Sequence, residues 1–95
     1  MSKSSNAAGR WLPRLPDGVT LRFDRADDMW CISVPARTIM PDDITVEILK
    51  RCDGRTSVDT IVDELAQVFS ADRQQVKQDV IAVLDDMRER GVVEI

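Results

Sequence analysis

Four pairs of adjacent carboxylates, Asp27-Asp28, Asp42-Asp43, Asp63-Glu64 and Asp85-Asp86, are the groups in this chain best suited to acid–base chemistry. Two neighbouring carboxylates can share acid and base roles when their surroundings push their pKa values apart. None of these pairs is placed for that work. The first falls in a polar turn, the second at a helix start, and the last two towards helix exteriors. Each reads as solvated surface or as a cap. The chain has no histidine, the commonest general base, and no tyrosine. Cys31 and Cys52 fit no metal spacing, and without histidine the usual zinc sites are excluded. We read both as small buried apolar residues, with a disulfide or a reactive thiol as the alternative. Gly9, Gly18, Gly54 and Gly91 are scattered breaks and not a phosphate loop. The residue types therefore point away from an enzyme, a metal site and a bound cofactor.

Binding needs less chemistry, and the elements decide where it can occur. Ninety-five residues make one small domain, able to bury about 60% of the surface its unfolded chain exposes. No run of 18 apolar residues is present, so no transmembrane helix is expected. Residues 1–10, MSKSSNAAGR, lack the apolar stretch of a signal peptide and read as a flexible lead-in. Residues 11–95 then form the domain, with a cytoplasmic location. Pro13 and Pro16 keep the approach segment out of helix. Trp11 and Leu12 within it either pack on the domain or serve as exposed contacts.

Val19, Leu21 and Phe23 alternate with polar residues, and Trp30, Ile32 and Val34 repeat the pattern after the turn at residues 25–28. Period-two patterning of this kind predicts a hairpin with one buried face. Pro35 ends its second strand. Arg37, Thr38, Ile39 and Met40 resume extended structure up to Pro41 and form a short third strand. Because that strand comes last, one side of it is open to another chain.

Three helices follow. Asp42-Asp43 suits the start of the first, whose stripe is Ile44, Ile48, Leu49 and Cys52, with Gly54 as the stop. Thr56 or Ser57 opens the second, carrying Val58, Ile61, Val62, Leu65, Ala66 and Phe69 at helical spacing. Asp72 opens the third, with a stripe of Val76, Val80, Val83, Leu84 and Met87 and a stop at Gly91. Only Ser70-Ala71 separates the last two, as in a helix-turn-helix. The tail from Val92 to Ile95 packs or pairs as a short strand. The fold class is thus α+β, a winged helix-turn-helix-like arrangement of a three-stranded antiparallel sheet and three helices.

At about 100° per residue, Ile81 lies to one side of the third helix's stripe, beside Leu84 and flanked by Lys77 and Arg88. Either the core simply surrounds this helix, or its Lys77/Ile81/Leu84/Arg88 edge faces a groove. DNA is a poor ligand for it. From Asp72 to Arg90 the helix holds four cations against five anions. Phosphate neutralisation dominates DNA affinity, so no nucleic-acid partner is expected. A protein or peptide remains, adding as a strand beside the third strand.

Several residues also carry a family resemblance. Pro13 to Val19, Trp30 in the second strand, the proline step from Pro35 to Met40, ILKRCDGRTSVDTI from Ile48 to Ile61, and Arg90-Gly91 at the end of a long helix resemble the PqqD family. The resemblance covers about residues 12–95. The family commonly has a Thr near the first helix start; Asp42-Asp43-Ile44 keeps the cap without it. The resemblance implies a peptide chaperone of pyrroloquinoline quinone biosynthesis. Such a protein binds the precursor peptide PqqA and presents it to the radical S-adenosylmethionine enzyme PqqE. By position it implies a groove between Arg37, Thr38, Ile39 and Met40 on one side and Lys77, Val80, Ile81 and Leu84 on the other. Arg37, Arg73 and Lys77 suit acidic residues of a peptide. The alternatives are recognition of another modified peptide and an acidic winged-helix regulator.

Overall fold

The computed structural model describes residues 7–95, in an order of three strands and then three helices. The strands are β1 (Thr20–Asp24), β2 (Met29–Val34) and β3 (Arg37–Ile39). The helices are α1 (Asp43–Leu49), α2 (Val58–Val68) and α3 (Arg73–Glu89). The α+β expectation holds, with one antiparallel sheet in the order β1-β2-β3. Among the described residues no helix is long and apolar enough to cross a membrane.

Each helix starts where an oxygen can accept an otherwise unpaired backbone N–H. Asp42 accepts from Thr45 at 2.9 Å, Ser57 from Thr60 at 3.2 Å and Asp72 from Gln75 at 3.1 Å. The spacing at Asp72 and Gln75 suggests a capping box, but Gln75 reaches forward to Asp79 instead. Ser70 ends the second helical segment with a φ of 49°, while Ala71 N–H donates back to Ala66 C=O. This is the left-handed helix stop usually made by glycine.

The helix stripes meet Ile32 of the sheet in one core. Val58, Ile61, Val62 and Leu65 come from α2, and Val76, Val80, Leu84 and Met87 from α3. Ile48 and Leu49 of α1 and Val92 and Val93 of the tail complete it. Fully burying one such side chain stabilises by about 1.5–3 kcal/mol. Cys31 and Cys52 are free and buried. Burial pushes the Cys52 thiol up to about 12, so it stays protonated and unreactive at neutral pH.

The approach segment is sewn to the body by its backbone. Trp11 C=O accepts from Val58, Pro13 C=O accepts from Gly54, and Arg14 exchanges two bonds of 2.9 Å with Glu94. Trp11 packs on the core, whereas Leu12 is exposed. The lead-in expected over residues 1–10 needs a correction. Residues 7–9 form a helical turn, and Ala8 is only 4% exposed. A Cβ on Gly9 would stand 2.5 Å from an Asp59 carboxylate oxygen, so a larger residue there would push that side chain aside. Small residues packed on a distant helix leave no apolar run, which is why composition hid the turn. Residues 1–6 of that expectation lie outside the described residues.

Candidate functional site

β3 is the edge of the sheet, and its register says which groups are free. Val34 pairs with Arg37 across a two-residue turn, Ser33 with Thr38, and Ile32 with Ile39. A two-residue hairpin is closed by a pair that exchanges both hydrogen bonds, and such pairs alternate with non-bonded ones. Arg37 and Ile39 therefore spend their N–H and C=O groups on β2. Thr38 turns both of its groups outward, and no described backbone donor or acceptor meets them.

Beside this edge lies a cavity of about 220 Å³. Ile32, Ile39, Met40 and Pro41 line the strand side, Asp42 and Thr45 the α1 side, and Asp86, Met87 and Arg90 the end of α3. Met40 is 52% exposed at its mouth. Arg90 Nε lies 3.2 Å from an Asp86 oxygen, an exposed pair that a ligand's charge can exchange with at low cost. The Asp42 carboxylate is held below its ordinary range by its hydrogen bonds to the Thr45 side chain and backbone N–H. It stays ionised at neutral pH, and with the Asp86–Arg90 pair it makes the lining of this cavity largely polar around Ile32, Ile39 and Met87.

Of the expected strand residues, Arg37 and Thr38 are exposed and Ile39 is half-buried, and Ile39 and Met40 line the cavity. None of the expected helix residues lines it. Val80 and Leu84 have no exposed surface and belong to the core. They recur at a four-residue spacing with Val76, which is the stripe that faces the other elements. Ile81 is half-buried against that core and does not line the cavity beside β3. Arg73 and Lys77 are engaged by α2. Arg73 Nε binds Asp63, and Arg73 and Lys77 approach Asp59 Oδ1 at 3.5 and 3.2 Å. That oxygen is buried without a well-aligned hydrogen bond, so the two charges are what compensate it.

The helix residues lining the cavity beside β3 are Asp86, Met87 and Arg90, beyond Leu84 at the end of the helix. Sequence reasoning took Met87 as core, which it is, without its place in the cavity lining, and gave Asp86 and Arg90 no role. The available signal was position: the end of α3, not its middle, leads through Gly91 to the tail that returns to Arg14.

Comparisons with known proteins agree with this architecture. A family model described as Coenzyme PQQ synthesis protein D (PqqD) matches residues 31–93. A "PqqA binding protein" of Rhodopseudomonas palustris (strain BisB5) is 47% identical over 79 residues, 83% of this chain and 78% of that one. The solution NMR structure of the PqqD truncation of Methylobacterium extorquens PqqCD is similar at a TM-score of 0.75 and 37% identity. The match covers 87% of this chain and 88% of that one, which is described as a functional and stand-alone RiPP recognition element. The crystal structure of PqqD from Xanthomonas campestris is similar at a TM-score of 0.59 and 33% identity, covering 85% and 90% of the two chains.

Proposed function

The chain belongs to the PqqD family, and we propose that it binds the precursor peptide PqqA as a further strand on β3 and presents it to the radical S-adenosylmethionine enzyme PqqE. The observation that carries this reading is the outward N–H and C=O of Thr38 on the sheet edge beside an open cavity whose lining is largely polar, with Ile39, Met40 and Met87 as its apolar part. An added strand would take those two backbone bonds, and a side chain on its inner face would enter the cavity between Ile39, Met40 and Met87. Arg37 and Arg90 stand at the ends of that path and suit acidic residues of the peptide. The relatives named as PqqA binding proteins support the choice of peptide. The chain's own contribution is recognition: it orders the peptide and leaves the bond-forming chemistry to its partner, in the cytoplasm.

Titration of the isotope-labelled chain with PqqA tests the reading. Amide shifts should concentrate on Thr38, Ile39, Met40 and residues 86–90. Shifts confined to other residues, or no binding at micromolar concentration, would overturn it.

A further inference from the structure

A second cavity, of about 330 Å³, opens on the other side of α1. Trp30, Val46, Val68 and Phe69 give it an apolar lining, and Asp43 and Glu47 stand on its rim. Its volume is at the small end of the range of roughly 300–1,000 Å³ that ligand pockets occupy. Two details make it a shaped surface and not a gap in packing. Trp30 is held by two neighbours, Phe23 edge-on at 5.5 Å and Lys50 Nζ at 4.8 Å from its ring centre. Phe69 sits at the end of α2 immediately before Ser70, whose left-handed backbone turns the chain sharply into α3. That turn leaves Val68 and Phe69 57% and 44% exposed. Exposed large apolar side chains grouped around a cavity mark a contact surface.

The charge around it says what kind of contact. Beyond the rim, Asp24 at the end of β1 and Asp27 and Asp28 in the turn to β2 follow Phe23 and precede Trp30 in the chain. Against these five stand Arg25, Lys50 and Arg51, and both Lys50 and Arg51 are already paired with Glu47, at 3.1 and 3.0 Å. Among the described residues, Asp24, Asp27, Asp28 and Asp43 have no ion-pair partner. We propose that this cavity is a docking site for a basic segment of a protein partner, which inserts one bulky apolar side chain between Trp30 and Phe69. The site is separate from the β3 cavity yet shares a wall with it. Asp42 and Thr45 of α1 face one, and Asp43, Val46 and Glu47 face the other. A partner seated here lies beside whatever occupies β3 and does not compete with it.

The test uses the full labelled chain and the peptide acetyl-Lys-Leu-Phe-Lys-amide, with a counterpart carrying Glu in place of both Lys. The basic peptide should shift the Trp30 indole N–H and the Val46, Val68 and Phe69 signals. It should weaken with added salt, and the acidic counterpart should bind at least about tenfold less tightly. Val68→Lys, at an exposed helix end where a cation is tolerated, should abolish the response while leaving PqqA shifts on Thr38 intact. Equal binding of the two peptides, shifts on β3, or a response unchanged by Val68→Lys would overturn the proposal. So would self-association that Val68→Lys removes, since the occupant would then be a second copy. Failure of PqqA binding with the basic-peptide response intact would count against strand addition on β3 alone.

Discussion

The two ends of α3 carry similar residues and do opposite things. At its start, Arg73 and Lys77 are tied to Asp59 and Asp63 of α2, and the cations serve the helix pair. At its end, Asp86, Met87 and Arg90 line a cavity against the open edge of β3. At 1.5 Å per residue these ends are about 20 Å apart. A cation becomes available to a ligand only where the neighbouring element supplies no acid for it. That condition is set by tertiary pairing and cannot be read along one helix.

The sharpest way to break this contrast is in the middle of α3. Leu84→Ala removes a side chain with no exposed surface and should cost about 2–5 kcal/mol in denaturant unfolding. The affinity of the still-folded protein for PqqA should not move. If affinity fell and stability held, Leu84 would line the groove and the helix wall would lie where the sequence alone put it.

The β3 side of the comparison is probed by Thr38→Pro. Proline is tolerated on an edge strand where its missing N–H would face solvent, so the fold should persist. Losing one interstrand hydrogen bond, with a peptide C=O left unpaired, should weaken PqqA at least about tenfold, or about 1.4 kcal/mol. Unchanged affinity would mean that the peptide does not use this N–H.

These tests also mark how far the sequence could be read. Alternation in β1 and β2, the proline bracket around β3 and the three cap residues are local signals, and the elements they predict are present. Thr38 as an open-edge residue was legible because β3 comes last and ends at a proline. The helix wall was not, because Arg73 and Arg90 look alike until Asp59 and Asp63 are placed opposite the first. The cavity at Trp30 and Phe69 was hidden for a related reason. Phe69 continues the α2 stripe by spacing, but the stripe runs past the end of the core, and Ser70 turns the chain before anything covers it.

The α1 wall shared by the two cavities can be loosened at its cap. Asp42→Ala removes the acceptor for Thr45 N–H and should cost about 1 kcal/mol. It should also change the acid limb of stability. Asp42 and Glu47 are held below their ordinary values of 3.8 and 4.5, Asp42 chiefly by Thr45 and Glu47 chiefly by Arg51. A carboxylate whose folded pKa is depressed contributes stability above its unfolded pKa and loses it as pH falls through the folded one. Wild-type stability should therefore fall below about pH 4, and the Asp42→Ala variant should fall less steeply there. Identical acid limbs in the two proteins would show that Asp42 makes no such contribution.

The smallest effect is expected where the contrast began. Arg73→Gln and Lys77→Gln each remove a cation from an exposed or half-exposed pair, and such pairs contribute roughly 0.2–1 kcal/mol. Each variant should lose a little stability and leave PqqA affinity within about twofold of wild type. Lys77→Gln should be the more costly, because Lys77 makes the shorter approach to the buried Asp59 oxygen. Arg90→Gln is the matched control at the other end, since among the described residues Arg90 pairs with Asp86, one turn back, and with no acid of another element. It should leave stability nearly unchanged and reduce affinity severalfold if an acidic peptide residue lies beside it. The reverse outcome, with affinity following Arg73 and Lys77 and not Arg90, would move the binding surface to the opposite end of α3.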